Sequence, residues 1–164
     1  MRYQYALETA EKIKILLEPH CERIEIAGSI RRKRPVVGDI EIVAIPKPYN
    51  VGLFKSGIAL VVDEWEKVKG ELPCKYTQRI LPEGIKLDLF FAYKENWGLT
   101  FAVRTGSAEY SHRVLATNWV KNGYKSRGGF LYRGNTKIMV YEERNLFSMI
   151  GVKWIEPEFR EYYD

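Results

Sequence analysis

One stretch of the chain constrains its fold more than any other: residues 28–43, with the sequence GSIRRKRPVVGDIEIV. An alternating strand precedes this stretch, and a second apolar strand ends it. Residues two positions apart on a strand point to the same face of a sheet. We therefore expect Asp39 and Glu41 to lie side by side, while Ile40 and Ile42 face the core. Two neighbouring carboxylates beside a basic, glycine-led turn are costly unless a cation lies between them.

A third acidic residue lies on a later apolar strand, IKLDLFF, at residues 85–91. Leu87 and Leu89 share one face of this strand, so Asp88 lies on the other face. If this strand is the neighbour of the strand at 40–45, three carboxylates converge. Carboxylate oxygens bind Mg²⁺ in proteins, together with water and substrate phosphate. The three acids therefore predict a site for a divalent metal and phosphate, with an acid on an exposed sheet edge as the alternative for Asp88.

The turn before the acids has the composition of a phosphate-binding turn. Gly28 allows the backbone to turn sharply and to approach a ligand closely. Ser29 is the predicted N-cap of a short helix through Arg32, and free N–H groups at such a helix start bind phosphate. Taken alone, the Gly-Ser pair also fits an ordinary turn, and the basic run at 31–34 also fits a solvated face. The interpretation depends on their position directly before the acids.

The remaining segments show a mixture of helical and strand patterns. Apolar spacing predicts helices at 4–18, 56–69, 97–104, 107–122 and 143–150. Period-two patterns and flanking turn residues predict further strands at 75–81, 124–126, 130–133 and 138–141.

Composition excludes several classes of protein. A chain with 46% hydrophobic and 13% aromatic residues can build a core, so disorder is excluded. No apolar run approaches the roughly 20 residues of a membrane helix. The two histidines and two cysteines lack the spacing of a zinc site, and the cysteines fit the reduced thiols of a cytosolic protein.

The charge of the chain favours a polyanionic partner. The net charge is +5 and the pI is about 9.1. Residues 104–140 contain seven basic residues and a single acid, Glu109, with aromatic residues between them. This pattern predicts contacts with the phosphate backbone of a nucleic acid, although it also fits core aromatics with solubilising charges. The predicted contact residues are Arg113, Lys121, Lys125, Arg127 and Arg133.

The order of these motifs resembles that of a known group of enzymes. GSIRRKRPVVGDIEIVAIP is similar to the G-S-x-R-R…G-D-[IMV]-[DE] motif of the nucleotidyltransferase superfamily, in its DNA polymerase X (polymerase beta-like) branch. KLDLFF is similar to the strand that carries the third carboxylate of that family. RTGS is similar to its T-G-S turn between palm and thumb, and IGVKWIEPEFRE to its C-terminal ending. The similarity extends over about residues 20–160, in the order of the family.

This resemblance implies an α+β fold. Residues 1–103 would form a nucleotidyltransferase palm with a mixed β-sheet and flanking helices. Residues 104–164 would form a small, thumb-like α/β lobe. Because Gly28 lies so close to the start of the chain, we expect no lyase or fingers domain. The resemblance also implies a monomer that acts away from membranes, in the cytoplasm or nucleoid, or in the host cytoplasm if the protein is viral.

The resemblance further implies roles for individual residues. Asp39 and Glu41 would bind two Mg²⁺ ions, which Mn²⁺ could replace. Asp88 would bind the catalytic ion and help to deprotonate the 3′-hydroxyl of a primer. A nucleoside triphosphate and primer–template or gapped DNA would be the substrates. The implied nucleotide-binding residues are Gly28, Ser29, Arg32, Gly38, Arg104, Thr105, Gly106 and Ser107.

The sequence also departs from the family at positions that bear on function. Val103 and Arg104 stand where the family often has two aromatic residues that monitor the sugar, which makes ribonucleotide use a prediction to test. Glu41 stands where many relatives have aspartate, and Lys86 where an arginine is frequent. A minimal Mg²⁺-dependent DNA polymerase for short gaps is the leading interpretation. The alternatives are template-independent addition, transfer to RNA, protein or a small molecule, and a non-catalytic nucleic-acid-binding module.

Overall fold

The protein divides into two compact units, Met1–Ala92 and Tyr93–Asp164. The structure is a computed structural model, and it describes residues 1–162. The division falls before the predicted boundary between residues 103 and 104, which lies within a helix at Trp97–Thr105. That helix contributes Leu99 and Ala102 to the core of the second unit, and hydrophobic packing therefore assigns the whole helix to it.

The first unit is built around a five-stranded mixed sheet with the order β1-β2-β5-β4-β3. Strands β2 and β5 are parallel, and the other neighbouring pairs are antiparallel. Its elements are helix α1 (Tyr3–Leu17), strand β1 (Cys21–Ile26), helix α2 (Gly28–Arg31), strand β2 (Ile40–Pro46), helix α3 (Ala59–Val62), and strands β3 (Glu66–Lys69), β4 (Tyr76–Ile80) and β5 (Lys86–Phe91). Short 3-10 turns lie at Glu18–His20 and Gly52–Phe54.

One face of this sheet forms the core of the first unit. Ile40 and Ile42 of β2 and Leu87 and Leu89 of β5 are fully buried there, as their spacing predicts. Helix α1 packs on this face with Ala6, Ala10, Ile13 and Leu17, which recur at helical spacing. The residues between these positions on β2 and β5, including Glu41 and Asp88, point to the opposite face.

The predicted helix at 56–69 is helical only at Ala59–Val62 and is wrong beyond Val62. Residues 66–69 instead form the exposed edge strand β3, which pairs with β4. The buried guanidinium of Arg79 donates to the main-chain oxygens of Val62 and Trp65, each at 3.3 Å. Since these carbonyls bind Arg79 at the end of α3, the chain leaves the helix there. Local spacing of apolar residues carries no information about this long-range contact.

The second unit combines helices with a three-stranded antiparallel sheet of order β6-β7-β8. Its elements are helix α4 (Trp97–Thr105), helix α5 (Ala108–Tyr110), a π-helical segment (Ser111–Ala116), helix α6 (Thr117–Lys121), strands β6 (Lys125–Arg127), β7 (Phe130–Arg133) and β8 (Thr136–Ile138), and helix α7 (Glu143–Met149). Two 3-10 turns lie at Lys94–Asn96 and Pro157–Phe159. The predicted helix at 107–122 is helical from Ala108 to Lys121 and contains a π segment. The strand predicted at 138–141 lies instead at Thr136–Ile138.

A buried ion pair closes the core of the second unit. Arg160 is fully buried, and its Nη1 donates to Oε2 of Glu143 at 2.6 Å. Its guanidinium also lies over the rings of Phe147 and Trp154, at 4.9 Å and 4.6 Å from their centroids. The C-terminal segment around Arg160 is therefore anchored to helix α7 by charge and by aromatic packing.

Two further observations concern the classes that composition excludes. Within residues 1–162, no helix is both long and apolar enough to cross a membrane. Cys21 and Cys74 are free cysteines. Burial raises the pKa of the Cys21 thiol to about 11, so that it stays protonated at neutral pH.

Candidate active site

Two of the three predicted acids lie opposite each other in the sheet. Glu41 of β2 and Asp88 of β5 are register partners in the parallel pair. Directly paired residues of neighbouring strands project to the same side, so both carboxylates lie on the face opposite the core. Asp88 is 8% exposed. The sequence prediction depends on these two strands being neighbours, and the structure confirms that they are.

Asp39 immediately precedes β2 and is half-buried. Burial raises the pKa of its carboxyl, and the charge of Asp88 raises it further, while Lys86 lowers it. The effect of Asp88 requires the two carboxylates to be close enough for repulsion. All three acids also act on one neighbour, since the charges of Asp88, Asp39 and Glu41 each raise the pKa of Tyr76. The three carboxylates thus belong to one electrostatic environment.

The glycine turn lies directly against the second acid. Gly28 has a φ of +60°, and a Cβ placed on it would lie 2.7 Å from Cδ of Glu41. Its neighbour Ala27 donates its backbone N–H to the main-chain oxygen of Glu41 at 2.8 Å. Only glycine combines this backbone conformation with this close approach. The turn and the carboxylate are therefore held together by both main chain and packing.

The other residues predicted in this stretch occupy less enclosed positions. Ser29 and Arg32 are half-buried and Gly38 is exposed. The prediction that Ser29 is the N-cap is wrong, because α2 begins at Gly28 and Ala27 takes the cap position without a side-chain hydrogen bond. Gly28 itself has a left-handed backbone conformation, with a φ of +60°. Contacts of Ser29, Arg32 and Gly38 with a nucleotide stay a prediction.

Two residues of β4 contact Asp88, and sequence reasoning did not identify either. Tyr76 donates its hydroxyl to Oδ1 of Asp88 at 2.6 Å, and Gln78 donates Nε2 to the same oxygen at 2.8 Å. Gln78 is the direct register partner of Asp88, while Tyr76 stacks on Phe90 at a ring-centroid distance of 4.9 Å. The three central residues of β4, Thr77, Gln78 and Arg79, are all polar, so the sequence pattern alone does not show which of them face the acids.

The hydroxyl of Tyr76 keeps its proton at neutral pH. Burial is the largest influence that raises its pKa, followed by the hydrogen bond to Asp88 and the charges of the acids. A protonated phenol donates, and a carboxylate accepts. Asp88 is consequently held in a single orientation by two donors from the neighbouring strand.

The donor chemistry of Asp39, Glu41 and Asp88 fits a divalent metal ion. Carboxylate oxygens are hard ligands, and a cation would relieve the repulsion that raises the pKa of Asp39. Within residues 1–162, however, no three side chains of histidine, cysteine, aspartate or glutamate are already arranged to hold an ion. Metal binding by Asp39, Glu41 and Asp88 stays a prediction.

The predicted Thr-Gly-Ser turn joins two helices of the second unit. Thr105 is fully buried, and Ser107 caps helix α5 because its Oγ accepts the N–H of Tyr110 at 3.0 Å. A Cβ on Gly106 would lie 2.9 Å from Cδ1 of Tyr110, so glycine is required by packing. Arg104 is exposed at the end of α4. These contacts give the turn a structural role, and its contact with a nucleotide stays a prediction.

The predicted DNA-binding residues are all exposed but do not share one surface of the sheet. Lys125 and Arg127 lie on the same face of β6. Arg133, by its register, belongs to the other face, where it lies 4.5 Å from the ring centroid of Tyr124. Arg113 forms an ion pair with Glu109 at 2.8 Å. Lys121 ends helix α6. Their contact with DNA stays a prediction.

Comparison with known proteins yields structural neighbours only. No protein-family model and no curated protein matches the sequence. The crystal structure of Leishmania infantum polymerase beta in a ternary P/T complex matches with a TM-score of 0.70 and 15% sequence identity, over 98% of this chain and 76% of that chain. The same polymerase in a ternary gap complex matches with the same TM-score and identity, over 98% of this chain and 70% of that chain. The chain therefore has a polymerase beta-like fold, which confirms the predicted α+β class.

Proposed function

We propose that the protein is a divalent-metal-dependent nucleotidyltransferase. In this proposal it transfers a deoxynucleoside monophosphate from a deoxynucleoside triphosphate to the 3′-hydroxyl of a DNA primer, and it fills short gaps. The observation that carries the proposal is the pairing of Glu41 with Asp88 across two parallel strands, with Asp39 beside them. A structural role would not require three mutually repelling acids on the face of the sheet away from the core.

The proposed reaction is a single displacement at phosphorus. The 3′-oxygen of the primer bonds to the α-phosphorus, the bond from that phosphorus to the bridging oxygen breaks, and pyrophosphate leaves with the electron pair. The proton of the hydroxyl passes to Oδ2 of Asp88, the oxygen to which Tyr76 and Gln78 do not donate. Metal ions held by the three carboxylates would lower the pKa of the attacking hydroxyl and neutralise charge on the phosphates.

The remaining residues bind and orient the substrates. The main chain of the Gly28 turn lies against the carboxylate of Glu41, so a triphosphate that approaches the turn also approaches the acids. Arg32, in the same turn, would offset the charge that develops on the phosphates. Tyr76 and Gln78 fix the orientation of the Asp88 carboxylate and act as positioning residues.

A primer-extension assay tests this proposal directly. The full chain is incubated with Mg²⁺ or Mn²⁺, with each deoxynucleoside or ribonucleoside triphosphate, and with single-stranded, primed or gapped DNA. We expect extension of primed and gapped DNA that stops when the metal is chelated. Asp39→Ala and Asp88→Ala should each abolish extension, because either change removes a ligand from the proposed site.

The matched control is Glu83→Ala, which removes an exposed acid from the turn before β5. This variant should extend the primer at the wild-type rate. Extension by Asp39→Ala or Asp88→Ala at that rate would refute the assignment of the site. Extension of single-stranded DNA alone, without a template, would support the template-independent alternative instead.

A further inference from the structure

The sheet of the second unit has one face that combines cations with aromatic rings. In the register of the sheet, Tyr132 pairs with both Lys125 and Lys137, and Phe130 pairs with Arg127. Paired residues, and residues two apart on one strand, share a face. These five residues are therefore on one side, which we call the basic aromatic face.

The opposite side of this sheet faces the core of the unit. Leu131 is fully buried there, and it pairs with Ser126 and Ile138. Leu131 belongs to the hydrophobic cluster of the second unit, and Ile138 packs against that cluster. The basic aromatic face consequently points away from this core. Its cations are exposed and its rings are half-buried, so the core does not account for this combination of side chains.

The cations and rings of this face are in direct contact. The guanidinium of Arg127 lies 4.1 Å from the ring centroid of Tyr132, and Nζ of Lys137 lies 4.1 Å from that of Phe130. The ring of Tyr93, which is 61% exposed, stacks beside Phe130 at 6.0 Å. Cation–ring contacts orient long side chains that would otherwise be mobile. The face is thus an ordered array of flat and positively charged groups.

Within residues 1–162, acidic side chains do not neutralise the cations of this face. Among the residues that the structure describes, Lys125, Arg127 and Lys137 form no ion pair with an acidic side chain. A partner with a regular row of negative charges would complement them. Aromatic rings and guanidinium planes add a preference for a partner that also offers flat groups.

We propose that the basic aromatic face binds an unpaired strand of DNA, with phosphates on the cations and bases stacked on the rings. An unpaired strand offers a phosphate and a free base face at every nucleotide, whereas a duplex hides its base faces within the stack. An acidic peptide offers charge without a regular series of flat groups. This inference extends the proposed function, since it assigns a site to the single-stranded part of a DNA substrate.

The test is a binding assay without metal or nucleoside triphosphate, so that no transfer can occur. Fluorescence anisotropy of a labelled oligothymidylate is measured over a range of salt concentrations. Tyr132→Leu should weaken binding about 5- to 150-fold and leave the salt dependence unchanged, because it removes stacking but no charge. Arg127→Gln combined with Lys137→Gln should reduce the slope of log K against log salt by roughly 1.4, for two phosphate contacts on a single strand.

Two controls make the result specific. Tyr141→Leu changes an exposed tyrosine of the second unit that lies outside the sheet, and it should bind oligothymidylate like the wild type. A duplex of the same length should bind Tyr132→Leu as tightly as the wild type. Wild-type affinity of Tyr132→Leu for oligothymidylate, or an equal loss for the duplex, would overturn the proposal. If Tyr132→Leu does not fold, the test is made with Arg127→Gln combined with Lys137→Gln. An unchanged slope of log K against log salt in that variant refutes the proposal.

The outcome is separable from that of the proposed function. Asp39→Asn, which should not transfer nucleotides, should keep the affinity for oligothymidylate. If Tyr132→Leu and the charge variant show the expected losses but the protein has no transferase activity, the binding role of the face is retained and the proposed function is rejected. If the protein extends primers but Tyr132→Leu binds oligothymidylate normally, the proposed function is retained and the binding role of the face is rejected.

Discussion

Replacing Tyr76 by phenylalanine removes one of the two hydrogen bonds that orient Asp88 and leaves the ring in place. The hydroxyl of Tyr76 lies 2.6 Å from Oδ1 of Asp88. Phenylalanine keeps the aromatic stack on Phe90, whose ring centroid is 4.9 Å away. The substitution therefore tests the hydrogen bond rather than the packing, and its expected effect is on the reaction more than on the fold.

The size of the effect follows from the acceptor. A hydrogen bond to a charged group contributes about 1.5–3 kcal/mol. If the whole of that contribution is lost in the transition state, transfer slows about 10- to 150-fold. Because Gln78 still donates to the same oxygen at 2.8 Å, we expect Tyr76→Phe alone to be near the lower limit. In Tyr76→Phe combined with Gln78→Met, the rate of transfer should fall by more than the product of the two single effects, since neither of these two donors then remains.

Single-turnover primer extension at saturating nucleotide measures this loss. A residue that positions Asp88 should lower the rate of the chemical step and leave KM for the nucleotide nearly unchanged. A second measurement, free of activity, is the affinity for Mn²⁺ from its electron paramagnetic resonance signal. That affinity should weaken in the double variant, because partners that orient a carboxylate ligand raise metal affinity.

Tyr5→Phe is the matched control. Tyr5 is half exposed on helix α1, and loss of its hydroxyl should change neither the rate nor the Mn²⁺ affinity. The reasoning is refuted if Tyr76→Phe and the double variant both transfer nucleotides at the wild-type rate. It is equally refuted if the rate falls only in proportion to a loss of folded protein in thermal melts.

Three further changes test other parts of the site. Burial, and then the charge of Asp88, raises the pKa of Asp39. The stability of the metal-free protein should therefore fall as the pH rises above the ordinary pKa of aspartate. Asp39→Asn should raise the metal-free melting temperature at pH 7 and remove this pH dependence. Gly28→Ala should cost about 1–2 kcal/mol of strain and displace the Glu41 carboxylate, which slows transfer, whereas Gly84→Ala, with a φ of +82° and no atom near its Cβ, should show only the strain in chemical unfolding. Arg104→Phe should raise the preference for deoxynucleotides over ribonucleotides in competition assays if this position monitors the sugar; an unchanged ratio places the monitor elsewhere.

The central part of the site could be predicted because its information is local. Alternation at the start of β2 and along β5 assigns Glu41 and Asp88 to the face opposite Ile40, Ile42, Leu87 and Leu89. A hydrophobic core accepts those apolar residues on one side only, so the acids have one possible side. The prediction requires the two strands to be neighbours. Their adjacency depends on the crossover connection between β2 and β5, and the local sequence pattern does not determine that connection.

The parts that were missed depend on contacts between distant segments. Tyr76 and Gln78 became identifiable only when β4 was paired with β5 in a known register. The incorrect helix at 56–69 has the same cause, since its apolar spacing fits a helix and the buried Arg79 is 14 residues from Trp65. The two compact units divide between Ala92 and Tyr93, and the functional boundary at residues 103 and 104 stays a prediction.

Strand β4 connects these two sets of contacts. Its residues alternate: Tyr76 and Gln78 face the acids, while Thr77 and Arg79 lie on the core side. Arg79 donates to Oγ1 of Thr77 at 2.9 Å and to the carbonyls at the end of α3. A shift of one residue in the pairing of β4 would exchange the two faces and bring a buried cation to the acids. The buried arginine therefore fixes the register that places Gln78 opposite Asp88, and the geometry of the candidate site depends on a residue on the other side of the sheet.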